Sequence, residues 1–483
     1  MIKYQKKKHY ENIFKENINN IKGTWHNIKL LINEKKEVKN PPIILNNDIL
    51  YDSKIIANAF NDYFINLFNI PSTIDPSFKN FLKTANSNSF FLDYTDSNEI
   101  LHFAKTLSNS KSRDSHLISN KTLKIIIPSI CNIVSFLFNK VISSGIFPDS
   151  LKVARIIPIH KSGSHNDISN YRPISIISCF SKLLEKIIKF KLDEFLLKHN
   201  IISNDQFGFR KGRSTENALM KFVNETVFNL NNNENTLAVY IDFTKAFDSV
   251  NHKILSLKLE HYGIRGNPLN LLKSYLTNRY QFVAIDNKNS SSALIVSGVP
   301  QGSVLGPLLF NIFINDITNT TTISKFIIFA DDCTLLSKSP DMSNLTMITE
   351  NSLKQIDIWT GFNKIYINFK KTKFMIFTYK SNLITDNINF KFNDFNIARV
   401  ENFKLLGIYI DSRLKFNFHI GQIISKINIY SSIAKRIKKF LNKITLKILY
   451  YSMFYSHFFY CNLIWGCANK SEIDKLFNAQ KNC

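Results

Sequence analysis

The chain has 483 residues, too many for one ordinary hydrophobic core, so two or three domains are expected. A hydrophobic content of 44% and a charged content of 20% suit a folded, soluble protein. The net charge of +25, from 62 basic and 37 acidic residues, favours a polyanionic partner, either nucleic acid or an acidic membrane surface. The six cysteines are scattered singly, without a CxxC pair, which indicates free thiols in a reducing compartment.

Residues 1–100 are predicted to form a mostly helical N-terminal extension that carries no catalytic constellation. The basic start of the chain is not followed by the apolar core of a signal peptide. The most apolar stretch, residues 125–147, is interrupted by Pro128 and Lys140, so it is predicted to be a buried helix rather than a membrane span. No signal peptide, transmembrane segment or endonuclease domain is therefore expected.

Two extended segments on either side of a polar loop follow, at residues 152–159 and 170–175. Lys161 and Arg172 flank this loop, which could close on a triphosphate, with Arg supplying a bidentate fork and Lys a point charge. The alternative is ordinary surface charge. An amphipathic helix is predicted over residues 180–199.

A basic loop punctuated by glycine occupies residues 205–215, and a helix is predicted after it over residues 216–230. Arg210, Lys211 and Arg213 stand among aromatic residues, a combination that suits backbone phosphates and base faces. A basic loop without any such role is the alternative.

Two short apolar segments each lead to aspartate. The first, residues 237–243, contains Asp242 near its end and is followed by a turn and a predicted helix over residues 251–261. The second, rich in Ile and Phe, stops at Asp331 and Asp332, and a further apolar run resumes at once, which predicts a tight β-hairpin with carboxylates at its tip. An isolated pair of this kind is usually a solvated turn. If the two strands are neighbours in one sheet, however, the three carboxylates converge, and adjacent carboxylates stay ionised at low cost only in water or against cations.

A Gly/Pro loop at residues 297–307 precedes a very apolar predicted helix over residues 308–317. Its glycines allow another group to approach the backbone closely, although a plain loop before a core helix is the alternative. Residues 367–373 form a basic loop that leads into a strand, and residues 403–411 are predicted to form one more strand.

The segment 412–450 contains nine basic residues and no acidic residue. Lys435, Lys438 and Lys439 are predicted to share one helical face, with Ile437 on the opposite, apolar face. A basic amphipathic helix can lie on a membrane or along a duplex backbone, and the rest of the chain favours the duplex. Carboxylates at strand ends, cationic loops and a basic helical region are together typical of two-metal phosphoryl transfer.

The order of these motifs resembles the reverse transcriptase of non-LTR (LINE-type) retrotransposons, close to the jockey-like group, over roughly residues 100–470. The resemblance is carried by RIIP at 155–158, YRPI at 171–174, QFGFR at 206–210, DFTKAFD at 242–248, GVPQGS at 298–303 and FADD at 329–332, followed by Asn368, Lys371-Thr372 and Leu406-Gly407. The family often has Tyr where Phe329 stands in this chain.

The resemblance implies an α/β (α+β) right-hand polymerase fold. Fingers and palm would occupy residues 101–411, with an antiparallel palm sheet, and residues 412–483 would form a truncated helical thumb. The implied ligands of two Mg²⁺ ions are the carboxylates of Asp242, Asp331 and Asp332 and the carbonyl of Phe243. The implied basic loop and thumb contacts to nucleic acid are Arg210, Lys211, Arg213, Lys435, Lys438 and Lys439.

The resemblance also implies how a nucleotide would be held. Lys161 and Arg172 match positions that grip the triphosphate, and Phe247 matches the position that excludes a ribose 2′-OH. Gln301 and Gly302 match residues near the templating base pair. Lys371 matches a lysine proposed to protonate pyrophosphate.

The implied activity is RNA-directed DNA synthesis with dNTPs, an RNA template, a DNA primer and target DNA, with localisation to cytoplasm and nucleus. Two departures stand out: the chain shows no N-terminal endonuclease, and it stops at Cys483, where family members usually continue. A fragment of a longer reading frame is therefore expected. The alternatives are a catalytically idle, truncated remnant that only binds nucleic acid, and an RNA-dependent RNA polymerase, whose usual motif has Gly before the Asp pair.

Overall fold

The computed structural model describes residues 1–17, 20–32, 42–45, 48–66, 74–379, 390–392 and 395–481, so Cys483 lies outside the described residues. In chain order its helices are α1 (Ile2–Glu16), α2 (Ile21–Ile32), α3 (Ser53–Ile65), α4 (Ser97–Thr106), α5 (Asn120–Ser144), α6 (Cys179–Lys198), α7 (Thr215–Asn231), α8 (His252–His261), α9 (Gly266–Leu276), α10 (Gly306–Ile314), α11 (Met342–Asn363), α12 (Asn417–Ile437), α13 (Lys443–Tyr450), α14 (Ser456–Phe459), α15 (Asn462–Trp465) and α16 (Lys470–Lys481).

The strands are β1 (Ile43–Leu45), β2 (Asp48–Leu50), β3 (Ala154–His160), β4 (Tyr171–Ile176), β5 (Asn235–Ile241), β6 (Arg279–Ile285), β7 (Lys288–Asn289), β8 (Ala293–Ile295), β9 (Lys325–Phe329), β10 (Asp332–Ser339), β11 (Lys373–Phe377), β12 (Phe390–Phe392), β13 (Phe395–Arg399), β14 (Asn402–Leu405) and β15 (Ile408–Asp411). The predicted helices and strands around the aspartates and the polar loop are confirmed to within a few residues. The fold is accordingly a mixture of helix and sheet.

The central sheet has six strands in the order β12-β13-β11-β5-β10-β9. Strand β5 lies in its middle and is buried along its whole length, which suits its nearly continuous apolar sequence. It pairs antiparallel with β10 on one side and with β11 on the other, and β9 completes the predicted hairpin with β10. The expected antiparallel pairing holds for these four strands, whereas β13 is parallel to β11.

The second sheet has the order β4-β3-β6-β7, with β8 also paired to β6. The predicted extended segments around the polar loop form its β3–β4 hairpin, in which Ile159 faces Arg172. Helix α3 of the N-terminal segment packs against this sheet: the side-chain amide of Asn61 donates to the Ser291 carbonyl at 2.9 Å and accepts from Gln281 at 3.1 Å. The Phe60 ring of the same helix lies 4.9 Å from the Tyr171 ring, centroid to centroid, and this contact brings the N-terminal segment next to β4, the strand that carries Arg172.

Helix α5 differs from its predicted burial. One face, with Leu123, Ile127 and Val134, packs in the main core, whereas Ile125 and Ile133 are exposed. The helix therefore lies at the surface with a single buried face. In the part of the chain that the structure describes, α5 alone is long and apolar enough to span a membrane, a criterion that core helices also meet.

The C-terminal region departs from prediction at two points. The single strand expected over residues 403–411 is a hairpin of β14 and β15, because Leu406 and Gly407, with φ of 45° and 93°, reverse the chain between them. Helix α12 ends at Ile437, so Lys438 and Lys439 lie in a 3₁₀ turn and do not continue the helical face of Lys435. A second core forms here, and Phe14 and Ile28 of α1 and α2 belong to it.

Candidate active site

One cavity of about 700 Å³ lies between the two sheets, at the ends of β5 and the β9–β10 hairpin. Every residue predicted from the sequence to bind metal or nucleotide lines it: Lys161, Arg172, Asp242, Phe243, Phe247, Gln301, Gly302, Asp331, Asp332 and Lys371. These residues come from five separate segments of the chain, so the fold brings together residues that are far apart in the sequence.

The three aspartates meet because of strand register. Ile241, the last residue of β5, pairs with Cys333 of β10, so the next position on each strand sets Asp242 beside Asp332. Phe329 pairs with Asp332 across the hairpin, which leaves Ala330 and Asp331 as its two-residue loop. The predicted hairpin with carboxylates at its tip is confirmed.

Asp242 is held by the loop that follows α11. Its backbone N–H donates to Thr372 Oγ1 at 3.3 Å, and its carbonyl accepts from the Asn368 N–H at 2.7 Å. The same loop sets Lys371 Nζ 3.8 Å from Asp242 Oδ2. The Lys371 and Asp242 side chains are 59% and 40% exposed, so this contact is a weak, screened ion pair that leaves the carboxylate accessible.

The two-residue loop Ala330-Asp331, here called the carboxylate loop, has a strained backbone and is held by hydrogen bonds from outside the sheet. Ala330 has a left-handed φ of 58°, a conformation that costs roughly 1–2 kcal/mol in a residue other than glycine. Buried Gln206 supports it: its side-chain Oε1 accepts from the Ala330 N–H at 3.0 Å and from the Gly208 N–H at 2.7 Å. A Cβ on Gly208 would lie 2.3 Å from the Ala330 nitrogen, so only glycine fits there. Gln206 was not assigned a role from the sequence; its place in QFGFR was the available signal.

The electrostatics of the cavity favour bound cations. Burial, and then the charges of Asp331 and Asp242, raise the pKa of Asp332 to about 6, and burial with the charge of Asp242 also raises the pKa of Asp331. In the same cavity, burial and the neighbouring Arg172 and Lys371 charges lower the pKa of Lys161. The cavity thus holds these three carboxylates and three cationic side chains close together.

A divalent cation fits this donor set, because hard ions such as Mg²⁺ prefer carboxylate oxygens and relieve repulsion between them. The three carboxylates do not form a closed cluster of metal-ligating side chains in the described part of the chain. Substrate oxygens would therefore have to complete the coordination, as is usual for Mg²⁺ sites.

Phe247 forms part of the cavity floor. Its ring stacks on the buried Phe310 ring, with centroids 4.5 Å apart and planes 22° apart. The next residue, Asp248, accepts from Gln301 Nε2 through both carboxylate oxygens, at 2.9 and 2.8 Å. Burial raises the pKa of Asp248 to about 6 despite these bonds. The Asp248–Gln301 pair ties the Phe247 turn to the Gly/Pro loop.

Gly302 lies directly against the second sheet. It has a φ of 114°, and a Cβ there would lie 2.6 Å from the Ser175 carbonyl oxygen of β4. The Ser175 N–H in turn donates to the Gln301 carbonyl at 2.8 Å. The predicted close backbone approach at this loop is therefore present, and its partner is β4.

The N-terminal segment contributes to the site, which the sequence did not indicate. Lys245 has a φ of 46°, and its Nζ donates to Tyr63 Oη at 3.1 Å and lies 4.4 Å from the Tyr63 ring centroid. The adjacent Phe64 lines the cavity, as does Phe209 of the basic loop. No motif in residues 1–100 pointed to Tyr63.

The predicted nucleic-acid contacts lie outside this cavity. Arg210 Nη1 donates to the carbonyls of Ser203 and Gln206 at 2.6 and 3.2 Å, so part of its donor capacity holds its own loop. Lys211 is exposed, and exposed Arg213 lies over the Phe207 ring at 5.3 Å. Lys435 and Lys438 line a separate cleft, whereas Lys439 Nζ lies 5.1 Å from the Phe440 ring centroid.

Comparison with known proteins gives a consistent picture. The family model described as reverse transcriptase (RNA-dependent DNA polymerase) matches residues 159–410. The chain is 27% identical over 456 residues to the RNA-directed DNA polymerase from mobile element jockey of Drosophila melanogaster, an alignment covering 92% of the chain and 49% of that relative. It is also similar to the probable RNA-directed DNA polymerases from transposon BS (29%, covering 78% of the chain and 43% of the relative) and from transposon X-element (28%, 76% and 41%) of the same organism. The chain spans about half the length of these relatives or less.

Proposed function

Because this chain belongs to the reverse transcriptase (RNA-dependent DNA polymerase) family, as its motifs predicted, we propose that it copies an RNA template into DNA by two-metal nucleotidyl transfer. The observation that carries the proposal is the convergence of ten predicted residues on one cavity. Its partners would be a template RNA of a non-LTR element, a DNA primer at the target DNA, and dNTPs. Translation of the protein in the cytoplasm and its action at nuclear DNA belong to the same proposal.

We propose that the chain has the palm, fingers and thumb subdomains of a right-hand polymerase. The palm would be the central sheet, which carries the aspartates, and the fingers would contain the second sheet with Lys161 and Arg172. Together they occupy residues 101–411, after an N-terminal extension of residues 1–100. The thumb is the helical region 412–483. The carboxylates and the cationic side chains that together line the cavity between palm and fingers support it as the nucleotide site.

The metal ligands we propose are Asp242, Asp331 and Asp332, with the Phe243 carbonyl, around two Mg²⁺ ions. When bound, the two ions would lower the pKa of the primer 3′-OH and neutralise charge on the leaving pyrophosphate. Support comes from the raised pKa of the Asp331 and Asp332 carboxyls, since crowded carboxylates gain most from a cation.

The chain's own side chains would orient the nucleotide. Arg172 presents a planar fork, and Lys161 a compact charge, to the triphosphate from the β3–β4 hairpin. Lys371, near Asp242, would donate a proton to the departing pyrophosphate. Phe247 would lie under the ribose and exclude a 2′-OH, and Gln301 with Gly302 would line the templating base pair.

Primer extension tests the proposal. Purified protein is incubated with Mg²⁺, a poly(rA) template and an oligo(dT) primer, with dTTP or UTP, and products are resolved on a denaturing gel. Extension with dTTP only supports reverse transcription. Extension with UTP would indicate an RNA polymerase. Template binding without any extension would indicate an idle remnant.

A further inference from the structure

The helical region after α12 carries an exposed stripe of aromatic rings. Tyr451, Tyr455 and Phe459 are 58%, 40% and 62% exposed. The Tyr455 ring adjoins both of the others, with its centroid 5.3 Å from that of Tyr451 and 5.5 Å from that of Phe459. Aromatic side chains are strongly stabilised by burial, so three adjoining rings left in solvent indicate a binding surface.

The three aromatic residues stand at ends of consecutive short elements. Tyr451 and Tyr455 are the first and last residues of a π turn, and Phe459 is the last residue of α14. Phe454, on the other side, is buried and fixes the turn to the core.

A cleft of about 480 Å³ opens at one end of the stripe, between the end of α12 and α13. Its polar wall consists of Lys435, Lys438 and Lys447, and its aromatic wall includes Tyr450 and Tyr451. Tyr451 therefore belongs to both the cleft and the stripe. The volume lies within the range of roughly 300–1,000 Å³ that small-molecule sites occupy, so the cleft has room for a nucleotide unit.

Among the described residues, the charged side chains that line the cleft are all lysines. No acidic residue occurs from Ser412 to Asn469, a stretch that contains nine Lys and Arg. Carboxylates occur on the helices that pack nearby: α16 carries Glu472, paired with Lys475 at 2.6 Å, and Asp474, and α1 carries Glu11 and Glu16, but none of them lines the cleft. Three lysines at the mouth of an aromatic stripe fit an anionic ligand that also offers flat ring faces.

We propose that Lys435, Lys438, Lys447, Tyr451, Tyr455 and Phe459, here called the thumb stripe, bind an unpaired RNA strand. The lysines would contact its phosphates, and successive bases would stack on the three rings. A duplex hides its base faces within its own stack, whereas an unpaired strand presents them. The choice of RNA rests on the proposed function, but binding needs neither dNTP nor the aspartates.

Fluorescence anisotropy with a labelled 20-nucleotide oligo(U) and a labelled 20-base-pair duplex tests this inference, in EDTA and without nucleotides. Replacing Tyr451, Tyr455 and Phe459 together by Ala should weaken oligo(U) binding about tenfold or more and duplex binding about twofold at most. The Tyr451→Phe/Tyr455→Phe variant keeps the rings and should bind like wild type. Replacing Lys435, Lys438 and Lys447 by Gln should flatten the salt dependence of oligo(U) binding by about 0.7 per lost contact.

The matched control is the α5 variant Ile125→Ala/Ile133→Ala/Phe136→Ala, which removes exposed apolar side chains from another helix and should bind oligo(U) like wild type. Unchanged oligo(U) affinity in the Ala variant would overturn the proposal and indicate a protein-covered surface. Equal losses for oligo(U) and duplex, or an equal loss in the α5 control, would overturn it too. If the triple Ala variant fails to fold, Tyr455→Ala against Tyr455→Phe gives the same contrast. Because the assay contains no Mg²⁺, its outcome is independent of polymerisation.

Discussion

The side-chain oxygen of Gln206 accepts a hydrogen bond from the backbone N–H of Ala330, 124 residues further along the chain, at 3.0 Å. Ala330 is the residue immediately before Asp331 and has a left-handed backbone conformation. Backbone pairing between Phe207 and Ile328, at 2.7 Å, runs beside this bond. The QFGFR segment thus supports the carboxylate loop from outside the sheet, and we infer that Gln206 is a positioning residue.

Gln206→Met should therefore impair synthesis more than template binding. It removes an acceptor shared by two buried N–H groups, which should cost about 1–3 kcal/mol of unfolding free energy. A carboxylate loop that shifts by a fraction of an ångström should slow extension by roughly 10- to 100-fold. Steady-state kinetics and urea denaturation measure the two effects.

The control for Gln206→Met is Asn229→Leu. Asn229 is also buried, and its amide donates to Thr236 Oγ1 at 3.1 Å, at the end of β5 remote from Asp242. Asn229→Leu should lower stability and leave kcat within about twofold. If both variants lose stability alike and neither loses rate, Gln206 is a structural residue only.

Asp331→Asn should abolish extension while the fold and template binding persist. Asn has the same shape but lacks the charge that holds a divalent ion, so we expect a loss of about a hundredfold or more in kcat. Asp96→Asn, at the N-cap of α4, is the matched control, because Asn caps a helix about as well as Asp. A wild-type rate for Asp331→Asn in Mg²⁺ would remove Asp331 from the ligand set.

Phe247→Val should relax the choice of sugar. A ring under the ribose leaves a 2′-OH without a hydrogen-bond partner, at about 1–3 kcal/mol, or roughly 5- to 150-fold in rate. Single-nucleotide insertion on an RNA template should show a lower dNTP/rNTP ratio of kcat/KM, with dNTP turnover falling less than about tenfold. Phe310→Leu, which alters the buried ring beneath Phe247, should slow both nucleotides alike. An unmoved ratio in Phe247→Val would assign sugar selection to another residue.

Asp248→Asn should change how stability depends on pH. The folded pKa of the Asp248 carboxyl is raised to about 6, above the value of about 3.9 in an unfolded chain. The folded state therefore binds the Asp248 proton more tightly than the unfolded state does. The resulting contribution to the free energy of unfolding is fully present below pH 4 and is lost as the pH rises through 6. Asparagine stays neutral and can still accept from Gln301, so the variant should lose less stability between pH 4.5 and 7.5.

Thermal or urea denaturation at those two pH values checks this prediction. Asp341→Asn is the control and should leave the stability difference between the two pH values as in wild type, because hydrogen bonds from Ser343 and Asn344 lower the pKa of the Asp341 carboxyl. Its stability contribution is present above pH 4 and lost as the solution becomes more acidic. An identical pH dependence for wild type and Asp248→Asn would mean that Asp248 is ionised at low cost.

The sequence by itself was sufficient to predict the main strands and the aspartates they carry. Apolar runs that stop at Asp242 and at Asp331-Asp332 are local patterns, and local patterns determine strand and hairpin formation. The order of motifs then indicated the family and ten residues of one cavity. The motif order could indicate these residues because metal binding and nucleotide binding at one site restrict which residue type can stand at each position.

Only the tertiary structure revealed the partners that support these residues. Gln301 forms a hydrogen bond with Asp248, 53 positions away, and Lys245 forms one with Tyr63, 182 positions away. Contacts between residues so far apart produce no periodic pattern in the sequence. The reversal at Leu406-Gly407 and the exposed face of α5 were likewise missed. The periodicity of a segment shows which of its faces is apolar. Whether a face is buried depends on which distant segment packs against it, and this packing is determined by long-range contacts in the folded chain.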